Sequence, residues 1–256
     1  MKKSTIYLLI PVLLILSFSA RAQNFSLGVR GGLSIPNLTA GSGEQNPLNT
    51  GYSSREGIDA GIFGEFKFSN LFSIQPMIEY SSQGGKKNGF QAFPTPAELA
   101  PFFAPQPAPT YLYANYNSTA KLNYLMVPIL AKFGWNFKNS PFRIYVDAGP
   151  FVGFLLSAHQ ITSGESQFYL DPAGTQALPA PPQSFNNDES IKDQLHTTNF
   201  GIEGNVGLSY KFGMSSIFIE GGGDYGFLNI QKGTANGKNN TGAGTIDIGY
   251  SYWFGK

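Results

Sequence analysis

The feature that most constrains this chain is an alternation of side-chain character with a period of two. In "IFIEGGGDYGFLNI", Ile217, Ile219, Gly221, Gly223, Tyr225 and Phe227 share one face of an extended ribbon, while Phe218, Glu220, Gly222, Asp224 and Gly226 share the other. Two carboxylates therefore lie on one side of a segment that is otherwise apolar and glycine-rich. That side faces bulk water in a soluble sheet, an enclosed polar interior in a membrane barrel, or a substrate in an enzyme.

Seven further runs repeat the pattern. Phe25 to Ile35, Gly57 to Phe68 and Leu71 to Gln83 carry Arg30, then Asp59, Glu65 and Lys67, then Glu79 on the parity opposite their large apolar residues. Phe142 to Ser157 does the same with Arg143 and Asp147, Thr198 to Phe212 with Glu203 and Lys211, and Thr245 to Phe254 with Asp247. Lys121 to Phe133 is apolar on both parities, and Tyr124, Met126 and Leu130 are expected to face outward. After the N-terminal leader no helical period of useful length occurs.

The connections alternate strictly between short and long. Tight turns are expected at Ser69-Asn70, from Lys138 to Pro141 and from Gly213 to Ser215. Long segments run from Pro36 to Glu56, Gly84 to Ser118, Ala158 to Thr197 and Asn229 to Gly244, and the first three hold 12 of the 17 prolines. An even number of strands, with short turns at one end and long loops at the other, is the plan of an outer-membrane barrel. The expected fold is thus all-β: an eight-stranded antiparallel up-and-down transmembrane β-barrel, with short periplasmic turns and long, mobile external loops.

Lys2 and Lys3 precede the apolar stretch Ile6 to Phe18, and Ala20-Arg21-Ala22 supplies small residues for a signal peptidase. Cleavage is expected before Gln23, giving a signal peptide over residues 1–22 and a barrel domain over 23–256. The apolar stretch is shorter than the roughly 20 residues that span a bilayer as a helix. Removing Lys2, Lys3 and Arg21 from the 17 basic residues leaves 14 against 16 acidic ones, without a basic block suited to nucleic acid. Charged residues make up only 13% of the chain and aromatics 14%, with 31 glycines, a balance that suits strands facing lipid. With no cysteine there is neither a disulfide framework nor a lipid-modified N-terminus.

In hydrocarbon an unpaired backbone N–H or C=O costs several kcal/mol, so a sheet there must leave no open edge. An eight-stranded interior is narrow enough to be filled by side chains. The expected filling is a structural polar network of Arg30, Asp59, Glu65, Lys67, Glu79, Arg143, Asp147, Glu203, Lys211, Glu220, Asp224 and Asp247, with Lys121 as a further candidate cation. Gly28, Gly32, Gly61, Gly149, Gly153, Gly222 and Gly226 would make room for it. Pro76, Pro128 and Pro150 stand against this reading, because each removes a ladder donor inside a strand; bulges or the membrane rim are the expected places for them.

The stretches "FSIQPMIEYSSQGGKKNG", "LNYLMVPILAKFGW", "RIYVDAGPFVGFLLSA", "DYGFLNI" and "IDIGYSYWF" resemble the successive strand signatures of the PorT-like outer-membrane β-barrel family of Bacteroidetes. The leader ending in "ARAQ" is similar to leaders of that group. The resemblance spans the chain after the leader and includes the prolines of "QP", "VP" and "GP"; it departs at Gly255 and Lys256, which follow Phe254. It implies an outer-membrane barrel and no catalytic motif. One member of that family takes part in protein secretion, which makes envelope or secretion-system proteins candidate partners beside outer-membrane lipid.

Enzymatic chemistry finds little support. His159 and His196 lie near the two ends of the third long loop, and a metal there would need Asp188, Glu189 or Asp193. "NNDESIKD" lacks the glycine and ligand spacing of a calcium loop, and "GTANGKNN" does not lead into a helix as a phosphate loop must. The expected protein is a monomer without catalytic residues, cofactor or metal, structural or partner-docking. The alternatives are a narrow pore or solute channel, an outer-membrane lipid-modifying enzyme and, more distantly, a soluble lipocalin-like barrel.

Overall fold

The computed structural model describes residues 24–40, 45–233 and 236–255. The leader, and with it the expected cleavage before Gln23, lies outside them. Eleven strands are present among the described residues. They are β1 Phe25–Ala40, β2 Gly57–Lys67, β3 Phe72–Pro94, β4 Tyr111–Asn136, β5 Phe142–Ser163, β6 Glu165–Ser166, β7 Gln183–Ser184, β8 Asn187–Ser190, β9 Thr198–Phe212, β10 Ser215–Gly226 and β11 Asn239–Phe254. Short 3-10 turns occupy Ala97–Phe103 and Lys192–Gln194.

All pairings are antiparallel. The large sheet has the order β4-β3-β2-β1-β11-β10-β9-β5-β8, and β4 also pairs with β5, from Asn117 opposite Ser163 to Asn136 opposite Arg143. The expectation of a plain eight-stranded up-and-down barrel is corrected here. The large sheet has nine strands, β8 ends it with a free edge rather than completing a ring, and β6 and β7 form a second small sheet. β8 pairs with His159 to Thr162 of β5, beyond Phe154, where the pairing of β5 with β9 stops. Its unpaired groups thus belong to the loop end of the molecule, where water can satisfy them.

The alternation sorts the side chains by face. Ile58, Ile62, Ile219 and Ile248 are more than half exposed on the outside, whereas Asp59, Glu79, Glu220 and Asp247 are buried on the inside. Aromatic pairs band the outer surface near the short turns: Phe25 with Phe66 (4.9 Å), Phe72 with Phe133 (5.1 Å), Phe142 with Tyr210 (5.1 Å) and Tyr252 with Phe254 (5.1 Å). A second group, Phe200, Tyr225 and Phe227, lies toward the long loops. Two aromatic belts flanking an aliphatic band match the headgroup and hydrocarbon layers of a bilayer.

β4 has the opposite facing to the one expected. Tyr124, Met126 and Leu130 are buried inside, and Lys121 is exposed on the outer parity. Both faces of β4 are apolar because the inner one packs a second apolar cluster, in which Leu122, Tyr124 and Met126 meet Phe151 and Leu155, with Leu195 and Ile230 also buried there. One register shift, near Asn123 and Tyr124, adds a residue to β5. Leu155 is inside, Leu156 outside and Ala158 inside again, so this bulge resets the parity of β5.

The three strand prolines occupy neither this bulge nor a rim. Each sits beside a two-pair gap in one ladder and keeps its pairing on the other side. Pro76 pairs with Ile129 while the β2 ladder skips from Phe63–Met77 to Phe66–Ile74. Pro128 pairs with Phe151 across a gap on the β3 side, and Pro150 with Ile202 across a gap on the β4 side. The missing donor coincides with a break that leaves the register unshifted.

The long connections are also shorter than expected, because they are partly strand. β3 and β4 remain paired from Gly84–Lys121 out to Pro94–Tyr111, and β1 continues through Pro36 to Ala40. This arm carries an aromatic cluster in which Tyr116 stacks on Phe185 at 4.3 Å and Phe93 meets Phe168 and Phe185. Burial, with Tyr52 adding to it, raises the Tyr116 hydroxyl to a pKa of about 12.

Candidate functional site

The interior is organised around Arg30, which lies at the middle of β1 opposite Gly61 of β2 and Gly249 of β11. Glycine at the flanking positions leaves room for the guanidinium to cross the interior. It donates from Nη1 to Glu220 (2.8 Å) and from Nη2 to Glu203 (2.9 Å) and Glu79, while Nε lies 3.7 Å from Asp59 Oδ1. Four strands thus supply carboxylates to one cation. Removing a partner from such a buried group leaves an uncompensated charge, which makes the cluster interdependent.

The register explains how the acids come together. Glu220 stands directly opposite Asp247, and Asp224 directly opposite Glu203, placing like charges on adjacent strands. Asn205 Nδ2 bridges Glu203 and Asp147, each at 3.0 Å, and Tyr145 Oη donates to Glu220 Oε2 at 2.6 Å. Asp224, half-buried, accepts from Gln83 Nε2 at 3.0 Å. Gly32 lies opposite both Asp59 and Asp247, and a Cβ there would stand 2.0 Å from the Ile246 carbonyl oxygen.

Below this level the rings of Phe63, Tyr145 and Phe218 form a floor, with Phe63 to Phe218 at 5.8 Å and Tyr145 to Phe218 at 6.4 Å. Between this floor and the short turns opens a basin of about 450 Å³. Lys67, Lys132, Arg143 and Lys211 line it, with Glu65 as the one carboxylate among the described residues. Glu65 accepts from Ser73 Oγ at 2.6 Å and lies 3.9 Å from Lys132 Nζ and 3.8 Å from Arg143 Nη1. Lys132 also donates to Gln75 Oε1 (2.9 Å) and stands 3.8 Å over the Tyr145 ring.

The expected network residues therefore separate into two groups. Arg30, Asp59, Glu79, Asp147, Glu203, Glu220, Asp224 and Asp247 lie at the middle and outer levels, whereas Glu65, Lys67, Arg143 and Lys211 line the basin. Lys132 is the cation that the sequence reading missed, and Lys121 is not part of the interior. One signal was present: Lys132, near the end of its run, shares its parity with Gly134, and a charge beside a glycine on one parity marks that parity as the polar face.

The two histidines do not build a catalytic group. His159 Nδ1 is 3.0 Å from Asp188 Oδ1 in an exposed pair, and His196 is held through its backbone N–H to the Ile230 carbonyl. Among the described residues no group of three or more His, Asp or Glu side chains is placed to hold a metal, and the chain has no cysteine.

A family model described as "Outer membrane protein beta-barrel domain" matches residues 7–232. No curated protein matches the sequence. Among solved structures, Neisserial surface protein A is 10% identical, with 90% of this chain and 97% of that one covered and a TM-score of 0.44. The attachment invasion locus protein Ail of Yersinia pestis is 11% identical, with coverages of 90% and 99% and a TM-score of 0.37. The translocator domain of the autotransporter NalP from Neisseria meningitidis is 9% identical, with coverages of 98% and 97% and a TM-score of 0.28.

Proposed function

We propose that this chain, which belongs to the outer membrane protein beta-barrel domain family, is a non-enzymatic outer-membrane protein whose interior is filled against solute flow and whose loop end meets partners. The observation that carries the reading is the Arg30 centre, where one guanidinium bonds carboxylates from three other strands across the interior. The apolar cluster of Leu122, Tyr124, Met126, Phe151 and Leu155 adds a second layer of filling. In this reading the network residues, from Arg30 to Asp247, are structural: they fix the strands to one another from inside. The chain reaches the membrane through a leader cleaved before Gln23, and the likeness of its strand signatures to the PorT-like group makes secretion-system proteins the first partners to seek.

A second reading, a narrow pore or solute channel, is favoured by the polar basin that enters from the short-turn end. One experiment separates the two. Purified protein inserted into planar bilayers is expected to give no unitary current steps, and Arg30→Ala to give none or irregular ones. Stable steps from the unaltered protein would establish the channel and end the filled-interior reading. Co-purification of the detergent-extracted protein with its envelope neighbours tests the docking half, and recovery of the protein alone would count against it.

A further inference from the structure

The cationic basin has no role in the reading above. Among the described residues its lining is one-sided: four cationic side chains stand against the carboxylate of Glu65, an excess of three positive charges in a recess of about 450 Å³. Glu65 already accepts from Ser73 and is shared between Lys132 and Arg143 at close to 4 Å. Lys132 is further engaged by Gln75 and the Tyr145 ring, and Lys67 lies 5.8 Å over the Trp253 ring. Arg143 is less well matched. Its Nε and Nη2 atoms are buried without a hydrogen-bond partner, although both carry N–H donors. Buried donors of this kind are normally satisfied; here they lie against Gly134, where a Cβ would stand 2.2 Å from Nε, so the charge of Arg143 is held at the wall of the recess with Glu65 as its one ion-pair partner among the described residues, 3.8 Å from Nη1.

The remaining polar lining also donates. Ser140, Ser209, Ser216 and Ser251 bring hydroxyls to the same recess, and the aromatic floor of Phe63, Tyr145 and Phe218 separates it from the acids around Arg30. Like charges converging from the ends of β2, β4, β5 and β9 repel one another unless an anion sits among them. A single carboxylate group would leave most of the excess unmatched, whereas a di- or trianion would balance it.

We propose that the basin is a binding site for a small phosphoryl polyanion of the pyrophosphate or phosphate-monoester class, entering from the short-turn side and held by Arg143 with Lys67, Lys132 and Lys211. Arg143 supplies positive charge at the wall, Lys211 at the exposed mouth supplies attraction, and the serine hydroxyls supply neutral donors. The ligand reaches the basin along the interior axis, so it is a soluble ion rather than a lipid headgroup, which would approach from outside the strands.

Isothermal titration of the detergent-solubilised protein with pyrophosphate at low ionic strength tests the site, with citrate as a polycarboxylate comparison. Vesicles of anionic phospholipid provide the headgroup comparison. Saturable one-to-one binding of pyrophosphate is expected, weakened about tenfold by Arg143→Gln, the loss anticipated for one charge-assisted contact. Lys211→Gln, at an exposed position where folding is not at stake, should weaken it several-fold, while Lys121→Gln on the outer face should leave it unchanged. Absence of saturable binding, equal binding by the Lys211 and Lys121 variants, or citrate or vesicles binding as tightly as pyrophosphate would overturn the assignment.

Discussion

The two ends of the polar interior use opposite charge economies. At the level of Arg30 one cation is surrounded by acids from β2, β3, β9 and β10. In the basin four cations face Glu65, which lies within 4 Å of Lys132 and Arg143. Arg30 and its four acidic neighbours are deeply buried, and three of the four bond to it directly; the second group includes the exposed Lys211. Each group carries a surplus of one sign, but the first is closed off and tied together by the hydrogen bonds of Arg30, whereas the second opens toward the short turns and can be reached from outside.

Substitutions should reveal that difference as a gradient of stability, measured by urea unfolding in lipid vesicles through the fluorescence of Trp135 and Trp253. The largest loss is expected for Arg30→Met, about 3–5 kcal/mol, because Glu79, Glu203, Glu220 and Asp59 lose their common counter-charge. A loss below about 1 kcal/mol would show the centre to be dispensable. Glu220→Gln keeps an acceptor for Tyr145 and leaves three charged neighbours around Arg30, so about 1–3 kcal/mol is expected.

In the basin the effects should shrink. Lys132→Gln gives up the contacts to Gln75 and the Tyr145 ring but relieves like-charge crowding, and a net loss of about 1 kcal/mol or less is expected. Lys211→Gln should move stability by no more than about 0.5 kcal/mol. If the Lys211 variant unfolded as readily as the Arg30 variant, the division of the interior into a closed centre and an open recess would be lost.

Much of the wall was legible in the sequence because a period of two separates its faces wherever one face meets lipid and the other carries charge. Asp59, Glu79, Glu203, Glu220 and Asp247 were assigned inward on that ground, and they are buried inside. Lys132 was not found, since β4 is apolar on both sides and an interior cluster around Leu122 and Phe151 mimics a lipid-facing stripe. The ladder beyond Gly84 was equally hidden. "GGKKNG" has turn composition, yet it continues as paired strand, with Gly84 at φ +113° where a Cβ would stand 2.1 Å from the Ala120 carbonyl oxygen. The ninth strand, Asn187–Ser190, adds to β5 from within a long polar segment whose four residues are all exposed, and no periodicity marks so short a piece.

The continued pairing of β3 with β4 gives the molecule reach. Ten residues of ladder separate Gly84–Lys121 from Pro94–Tyr111, and at roughly 3.3 Å per residue that is a mast about 30 Å tall. Its tip carries Phe102, 82% exposed, in the turn Ala97–Phe103. Anything approaching from the loop end meets this hairpin well before the wall, so substitutions should be tolerated more readily there than in the strands beneath.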